Sequence, residues 1–256
     1  ITIWIGDCRE YPDFGKSDED AVALINRLLD RRVDGIILWP SFAVAYYEHY
    51  RELMEQRIPV VVIDHKLSAA DIADSIETDE EQGTRLVAEH LLDLGHRQIA
   101  CFSAREVDWQ SWSIRRRSLF EQAVYDLSGG TVVSYKTNPQ GDDGAAVALR
   151  ILKSKPRPTA VFAVTDHMAR YLYRAASQLG LRIPADVSIV GYADLDFAED
   201  LTPPLTSVRQ QPVKIGQLAA RSVLQRLLDE KQAAAPACVH RASTELICRG
   251  STQKVG

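Results

Sequence analysis

Short apolar runs alternate along this chain with segments whose apolar residues recur every three or four positions. The runs read as strands at Ile1–Ile5, Gly35–Trp39, Pro59–Ile63, Gln98–Phe102, Thr131–Tyr135, Thr159–Val164 and Val187–Val190, with a late strand near Thr244–Cys248. The recurring segments read as amphipathic helices, since a 3.6-residue period lines one face with apolar side chains. Val22, Ile25, Leu28 and Leu29 form one such face, and Leu86, Val87, His90, Leu91 and Leu94 a second. The second is opened by Thr78-x-x-Glu81 as a capping box and stopped by Gly95. Leu172, Ala175, Ala176 and Leu179 form a third face between Asp166 and Gly180. The last helix runs from Pro212 to Asp229, with proline in the first turn, where its missing N–H costs nothing.

Strands alternating with helices call for parallel sheets with right-handed crossovers. One barrel, one large sheet or two small sheets would accommodate the pattern. Two lobes are favoured, because Gly95-His96-Arg97 and Thr202–Gln210 read as crossings without regular structure. The expected architecture is α/β and two-lobed, each lobe a parallel sheet flanked by helices. One lobe takes residues 1–96 plus 211–240, the other 97–210 plus 241–256. At 256 residues the chain is long enough for both.

Composition narrows the class. Hydrophobic residues make up 46% and charged residues 25%, a globular balance, and no apolar run reaches the length of a membrane span. The first residues, Ile1-Thr-Ile-Trp-Ile-Gly-Asp7, lack the basic flank of a signal peptide. A cytoplasmic location without membrane association is expected. Net charge is −5 and the densest basic run is only Arg115-Arg116-Arg117, at a helix start. Phosphate neutralisation drives nucleic-acid affinity, so this chain is not expected to grip DNA by itself. Cys8, Cys101, Cys238 and Cys248 have no C-x-x-C spacing and read as thiols in a reducing compartment rather than as disulfides.

Enzyme signatures are missing. The chain has no G-x-G-x-x-G after a strand, no G-x-S-x-G and no H-E-x-x-H. Gly15-Lys16-Ser17 fails as a phosphate loop, because Glu10 stands where that motif needs glycine. The six histidines form no metal-ligand pair at helical spacing, and His90 reads as a packing residue. Neither a cofactor nor a metal is expected.

Near the C-terminal end, Val187 to Gln210 joins a buried strand, the loop Ala193-Asp194-Leu195-Asp196 and a path that Pro203-Pro204 hold extended. A loop at the carboxyl end of a strand is where open α/β sheets bind ligands. This segment resembles the ligand-binding core of the lactose/galactose-repressor (LacI/GalR) family of bacterial transcription regulators. Other segments resemble that family in the same order. They are Arg32-Val-Asp-Gly-Ile-Ile-Leu-Trp-Pro40, Pro59-Val-Val-Val-Ile-Asp64, Leu94-Gly-His-Arg97, Arg116-Arg-Ser-Leu-Phe120, Pro158 through Ala169 and Thr244 through Thr252. Leu119 departs from the glycine usual in the fourth of these.

The resemblance implies a fold of periplasmic-binding-protein type with a small molecule, a sugar or a relative of one, bound between lobes. It implies a homodimer, and control of DNA by a separate N-terminal domain outside this chain. It also implies that the fold's first strand and helix precede Ile1. The alternative with the same fold is a periplasmic solute-binding protein serving a transporter. Arg116 matches an arginine that family members use on ligand hydroxyls or carboxylates; the alternative is a surface charge. Trp39 would stack on a sugar ring or pack the cleft, and Trp109 and Trp112 would form a binding wall. Thr165 stands at a ligand-binding asparagine position, Asp166 beside it is a ligand or a helix cap, and Gln210 reaches the cleft. Ala193 departs most, since sugar- and purine-responsive relatives commonly have aspartate after Gly-Tyr. Asp194, or Asp196 after a loop shift, would substitute for it. Without that aspartate, Arg116 lacks its acidic counterweight, which tilts the expected ligand toward an anion.

Overall fold

A computed structural model describes residues 26, 28–38, 53, 58–64, 73–104, 111–137 and 143–255. The chain divides into two compact units, residues 1–78 with 211–242 and residues 79–210 with 243–256. The expected strand Ile1–Ile5, the first helix face up to Ile25, Cys8, Trp39 and Trp109 lie outside the described residues.

The first unit holds a four-stranded sheet in the order β1 (Ile36–Leu38), β2 (Val60–Ile63), β3 (Asp74–Thr78), β9 (Val239–Ala242), all parallel. Val60 and Val62 face one apolar layer with Ile36, Leu53 and Ala73. Val61 faces the other, with Ile76, Ala242 and two residues of helix α5 (Pro212–Leu228), Ile215 and Ala219. Burial on both faces explains why β2 reads as an unbroken apolar run. As expected, Pro212 lies in the first turn of α5.

Strand β3 escaped the sequence reading because it is polar, Asp74-Ser-Ile-Glu-Thr78, and yet wholly buried. A partner makes that burial tolerable. Arg226 of α5 forks onto Asp74, with Nη2–Oδ1 at 2.5 Å and Nε–Oδ2 at 2.7 Å. Ser222 Oγ and the Cys238 backbone N–H also donate to Asp74. Burial by itself would raise the Asp74 pKa, but these donors, Arg226 foremost, hold it at about 2.

The second unit holds a six-stranded sheet in the order β10 (Glu245–Ile247), β8 (Thr206–Arg209), β7 (Ser188–Ala193), β6 (Ala160–Ala163), β4 (Gln98–Ala104), β5 (Thr131–Thr137). Only β10 runs antiparallel. Helices α1 (Glu80–Asp93), α2 (Ser111–Asp126), α3 (Gly144–Lys153) and α4 (Asp166–Gln178) cover it. Met168, Ala169, Leu172, Ala175 and Ala176 of α4 bury one helical stripe in the shared core. From β4 the chain passes outward to β5 and then back to β6 on the other side. The switch point of this doubly wound sheet is therefore the gap between the carboxyl ends of β4 and β6.

Several expectations change. The unit boundary falls between Thr78 and Asp79 rather than at 96/97, because Val87, Ala88, Leu91 and Leu92 of α1 enter the second unit's core. Gly95–Arg97 is thus a turn inside one unit, with Gly95 at φ 88° as the helix stop. Thr206–Arg209 is strand β8, not an irregular crossing, and Val239–Ala242 is a strand the sequence did not announce. Strand β7 continues through Gly191 and Tyr192 to Ala193. The cap of α1 is Asp79, whose side chain accepts from Gln82 N–H, and not the Thr78–Glu81 box. Cys101, Cys238 and Cys248 are free thiols. His90 is half-buried with Nε2 3.0 Å from Thr252 Oγ1, a packing contact.

Candidate functional site

Ser113 fixes the start of α2 to the end of β4, accepting from the Ala104 N–H at 3.0 Å. One turn on, Arg116 leans back over the sheet edge, the direction helical side chains take. Its guanidinium is buried and fully engaged along one edge. Nε donates to Glu80 Oε2 at 2.7 Å and Nη2 to Glu80 Oε1 at 2.8 Å. Nη1 donates to the Val164 carbonyl at 3.0 Å, just past β6, so Arg116 spans the switch point. Its Cζ lies 3.9 Å from the Tyr192 ring centroid and 4.9 Å from that of Trp112, within cation–π range of both. A Cβ on Gly83 would come within 2.4 Å of Tyr192 Oη, so glycine in α1 makes room for the tyrosine.

The missing acidic counterweight is therefore present, in a different place. Glu80, 36 residues upstream in the first turn of α1, supplies the carboxylate that Ala193 cannot. Removing one partner of such a buried pair typically costs about 3–5 kcal/mol.

The loop after β7 is held by a second polar set. Ala193 has φ 110° and Asp194 φ 54°, both in the left-handed region. Asp194 bridges two arginines, with Arg209 Nε at 2.7 Å and Arg249 Nη1 at 2.6 Å. Asp166 is fully buried in the first turn of α4. It accepts from Ser207 Oγ at 2.6 Å and from Leu195 N–H at 2.8 Å, clasping the loop to β8. Burial raises its pKa to about 6 despite those donors. A Cβ on Gly191 would reach within 2.1 Å of Asp166 Oδ1, so glycine is required for that approach.

Of the predicted residues, the structure brings Arg116 and Trp112 together, with Thr165 following the Val164 carbonyl. Thr165, not Asp166, is the N-cap residue of α4, and its side chain makes no capping hydrogen bond. Asp166 and Asp194 engage the loop, Asp196 is exposed at the start of a 3-10 turn, and Gln210 lies half-buried after β8 at the unit boundary. The sequence reading missed Glu80, Tyr192, Ser207 and Arg249. Glu80 carried no signal beyond its place in a helix's first turn, and Tyr192 looked like an ordinary strand end.

A doubly wound sheet with a polar, aromatic-lined set at its switch point defines a ligand-binding α/β domain. Residues 88–252 match the family described as the periplasmic binding protein-like domain. The chain is 32% identical over 235 residues to the HTH-type transcriptional repressor PurR of Vibrio vulnificus, covering 90% of this chain and 68% of that one. It is also 32% identical to PurR of Vibrio atlanticus, of which it spans 61%. A LacI family transcriptional regulator from Enterococcus faecium with bound ribose superposes with TM-score 0.77 at 27% identity, covering 93% and 86% of the two chains. The lac repressor dimer bound to operator and the anti-inducer ONPF gives TM-score 0.76 at 26% identity, covering 92% and 68%. The chain belongs to the LacI/GalR family of transcription regulators and carries its effector-binding domain, which is no enzyme and no transporter subunit.

Proposed function

We propose that this domain reports a small-molecule effector, a sugar or a sugar-derived metabolite, to a DNA-binding domain outside these 256 residues. The protein would act as a cytoplasmic homodimer. Support for the assembly comes from the repressor relatives and the operator-bound lac repressor dimer; support for a sugar comes from the ribose-bound regulator. Among the described residues, no helix is long and apolar enough to cross a membrane.

One observation carries the reading. Arg116 sits at the switch point between β4 and β6 with its guanidinium against the rings of Trp112 and Tyr192. In this proposal Trp112, Arg116 and Thr165 meet the ligand, while Asp166 and Asp194 set the shape of the loop beside it. Trp39, Trp109 and Gln210 remain proposed ligand contacts. Ligand binding would bias a two-state equilibrium that the DNA-binding domain reads.

A thermal-melting screen against neutral sugars, nucleosides and nucleobases tests this. A ligand at 100 times its Kd should stabilise the chain by about 2.7 kcal/mol. The same ligand should give no shift with the Arg116→Ala variant. A hit that survives this substitution would move the site elsewhere.

A further inference from the structure

We infer that Glu80 is a specificity-determining residue of this site, making it a receptor for uncharged ligands that excludes anions. The inference rests on the effector reading above and concerns which ligands that site accepts. An arginine recognises carboxylate or phosphate by presenting two parallel N–H groups to two oxygens. Here the Nε/Nη2 edge already holds both oxygens of Glu80, at 2.7 and 2.8 Å. The neighbouring Nη1 donates to Val164 O at 3.0 Å, and Cζ lies 3.9 Å from the Tyr192 ring centroid and 4.9 Å from that of Trp112. An anion therefore takes that bidentate edge of Arg116 only by displacing Glu80. The displaced carboxylate is 8% exposed, so leaving it charged and unpaired there is costly.

Asp166 is fully buried with hydroxyl and amide donors, and Asp194 is shared between Arg209 and Arg249, so both carboxylates are already engaged. A neutral polyol or heterocycle escapes the conflict, because it stacks on Trp112 and shares donors and acceptors at the rim without bringing charge. The carboxylate that balances Arg116 thus comes from Glu80, on a different helix.

Titration calorimetry of the whole chain with D-gluconate and with inorganic phosphate tests this directly. The parent should give no saturable heat up to about 10 mM of either anion, a Kd weaker than any specific site. Glu80→Gln keeps an acceptor for Arg116 and removes the charge, so gluconate affinity should rise at least about tenfold, equal to about 1.4 kcal/mol. Circular dichroism and melting establish that the variant is folded. Glu80→Asp, which draws the carboxylate back by one methylene, should show a smaller gain and serves if the glutamine variant does not fold. Sub-millimolar anion binding by the parent that disappears with Arg116→Met overturns the inference. So does a folded Glu80→Gln chain that binds gluconate no better than the parent. Neither result touches the effector reading, which stands or falls on neutral-ligand shifts with Arg116→Ala.

Discussion

Among the described residues, each unit contains a buried arginine forked onto a buried carboxylate, and the two pairs are built for different ends. In the first unit, every remaining donor of the Arg226–Asp74 pair is spent on the fold. Arg226 also donates to the carbonyls of Gln232, Ala235 and Pro236 at 2.9, 2.9 and 3.0 Å, which pins the turn after α5. In the second unit, Arg116 gives one bond to a carbonyl and lies within cation–π range of two aromatic rings. A guanidinium saturated by backbone is a rivet. One set against rings at a sheet's switch point is, in the proposal above, a recognition element whose charge is set by its partner.

The comparison breaks most sharply in paired substitutions. Arg226→Met should destabilise the chain by about 3–5 kcal/mol, since it leaves Asp74 charged and unpaired and orphans three carbonyls. Adding Asp74→Leu should not restore stability, because the carbonyls stay orphaned. The double variant Glu80→Met with Arg116→Leu should come within about 1 kcal/mol of the parent, since an apolar pair replaces a buried ion pair at little cost. It should nevertheless lose all effector shift. Denaturant melts of the four chains decide this; equal losses in both doubles would remove the distinction between rivet and recognition element.

Acid should separate the units in opposite directions. The Asp74 carboxyl titrates at about 2, below its ordinary value of 3.8, so its contribution is full above 3.8 and lost as pH falls through that value toward 2. The interval corresponds to about 2 kcal/mol. Asp166 titrates at about 6, above the same ordinary value, so its ionised form weakens the native state at pH 7. Stability from Asp166 should therefore rise as pH falls from about 6 to 3.8, by up to about 3 kcal/mol, and then level off. Hydrogen exchange resolved by segment should show stronger protection around Leu195 and Ser207 at pH 5 than at pH 7. The Asp166→Asn variant should flatten that rise.

Much of this contrast was hidden from the sequence for a physical reason. Apolar runs announced β2, β4, β6 and β7, because strands buried on both faces must be apolar throughout. Gly95 and Gly180 marked helix ends, at φ 88° and 65°. The misses are polar segments made buriable by partners far along the chain. Asp74 meets Arg226 across 152 residues and Glu80 meets Arg116 across 36. Neither pairing leaves a periodicity. Arg116 reads as part of a helix start and Trp112 as part of an aromatic-polar loop before it, and the structure folds both into α2, whereas Glu80 was overlooked beside the exposed Glu81.

The smallest predicted effect concerns Ala193, at the end of β7. Ala193 holds φ at 110°, a conformation whose side-chain clash costs about 1–2 kcal/mol, while glycine there loses about 0.5–1 kcal/mol in unfolded-chain entropy. Ala193→Gly should therefore stabilise the second unit by about 0.5 kcal/mol, and with the Glu80–Arg116 pair untouched it should leave effector affinity unchanged. Ala193→Asp keeps the strain, since a short polar side chain tolerates the region only partly. It also adds a carboxylate one residue after Tyr192, whose ring Arg116 meets. Its expected result is a small loss of stability, on the order of 1 kcal/mol, with no gain in binding. The double change Ala193→Asp with Glu80→Gln restores a single carboxylate to the site and should recover parental exclusion of gluconate. If the single Ala193→Asp variant instead bound neutral ligands more tightly, the loop carboxylate and Glu80 would have separate tasks, and Glu80 would be a rivet like Asp74.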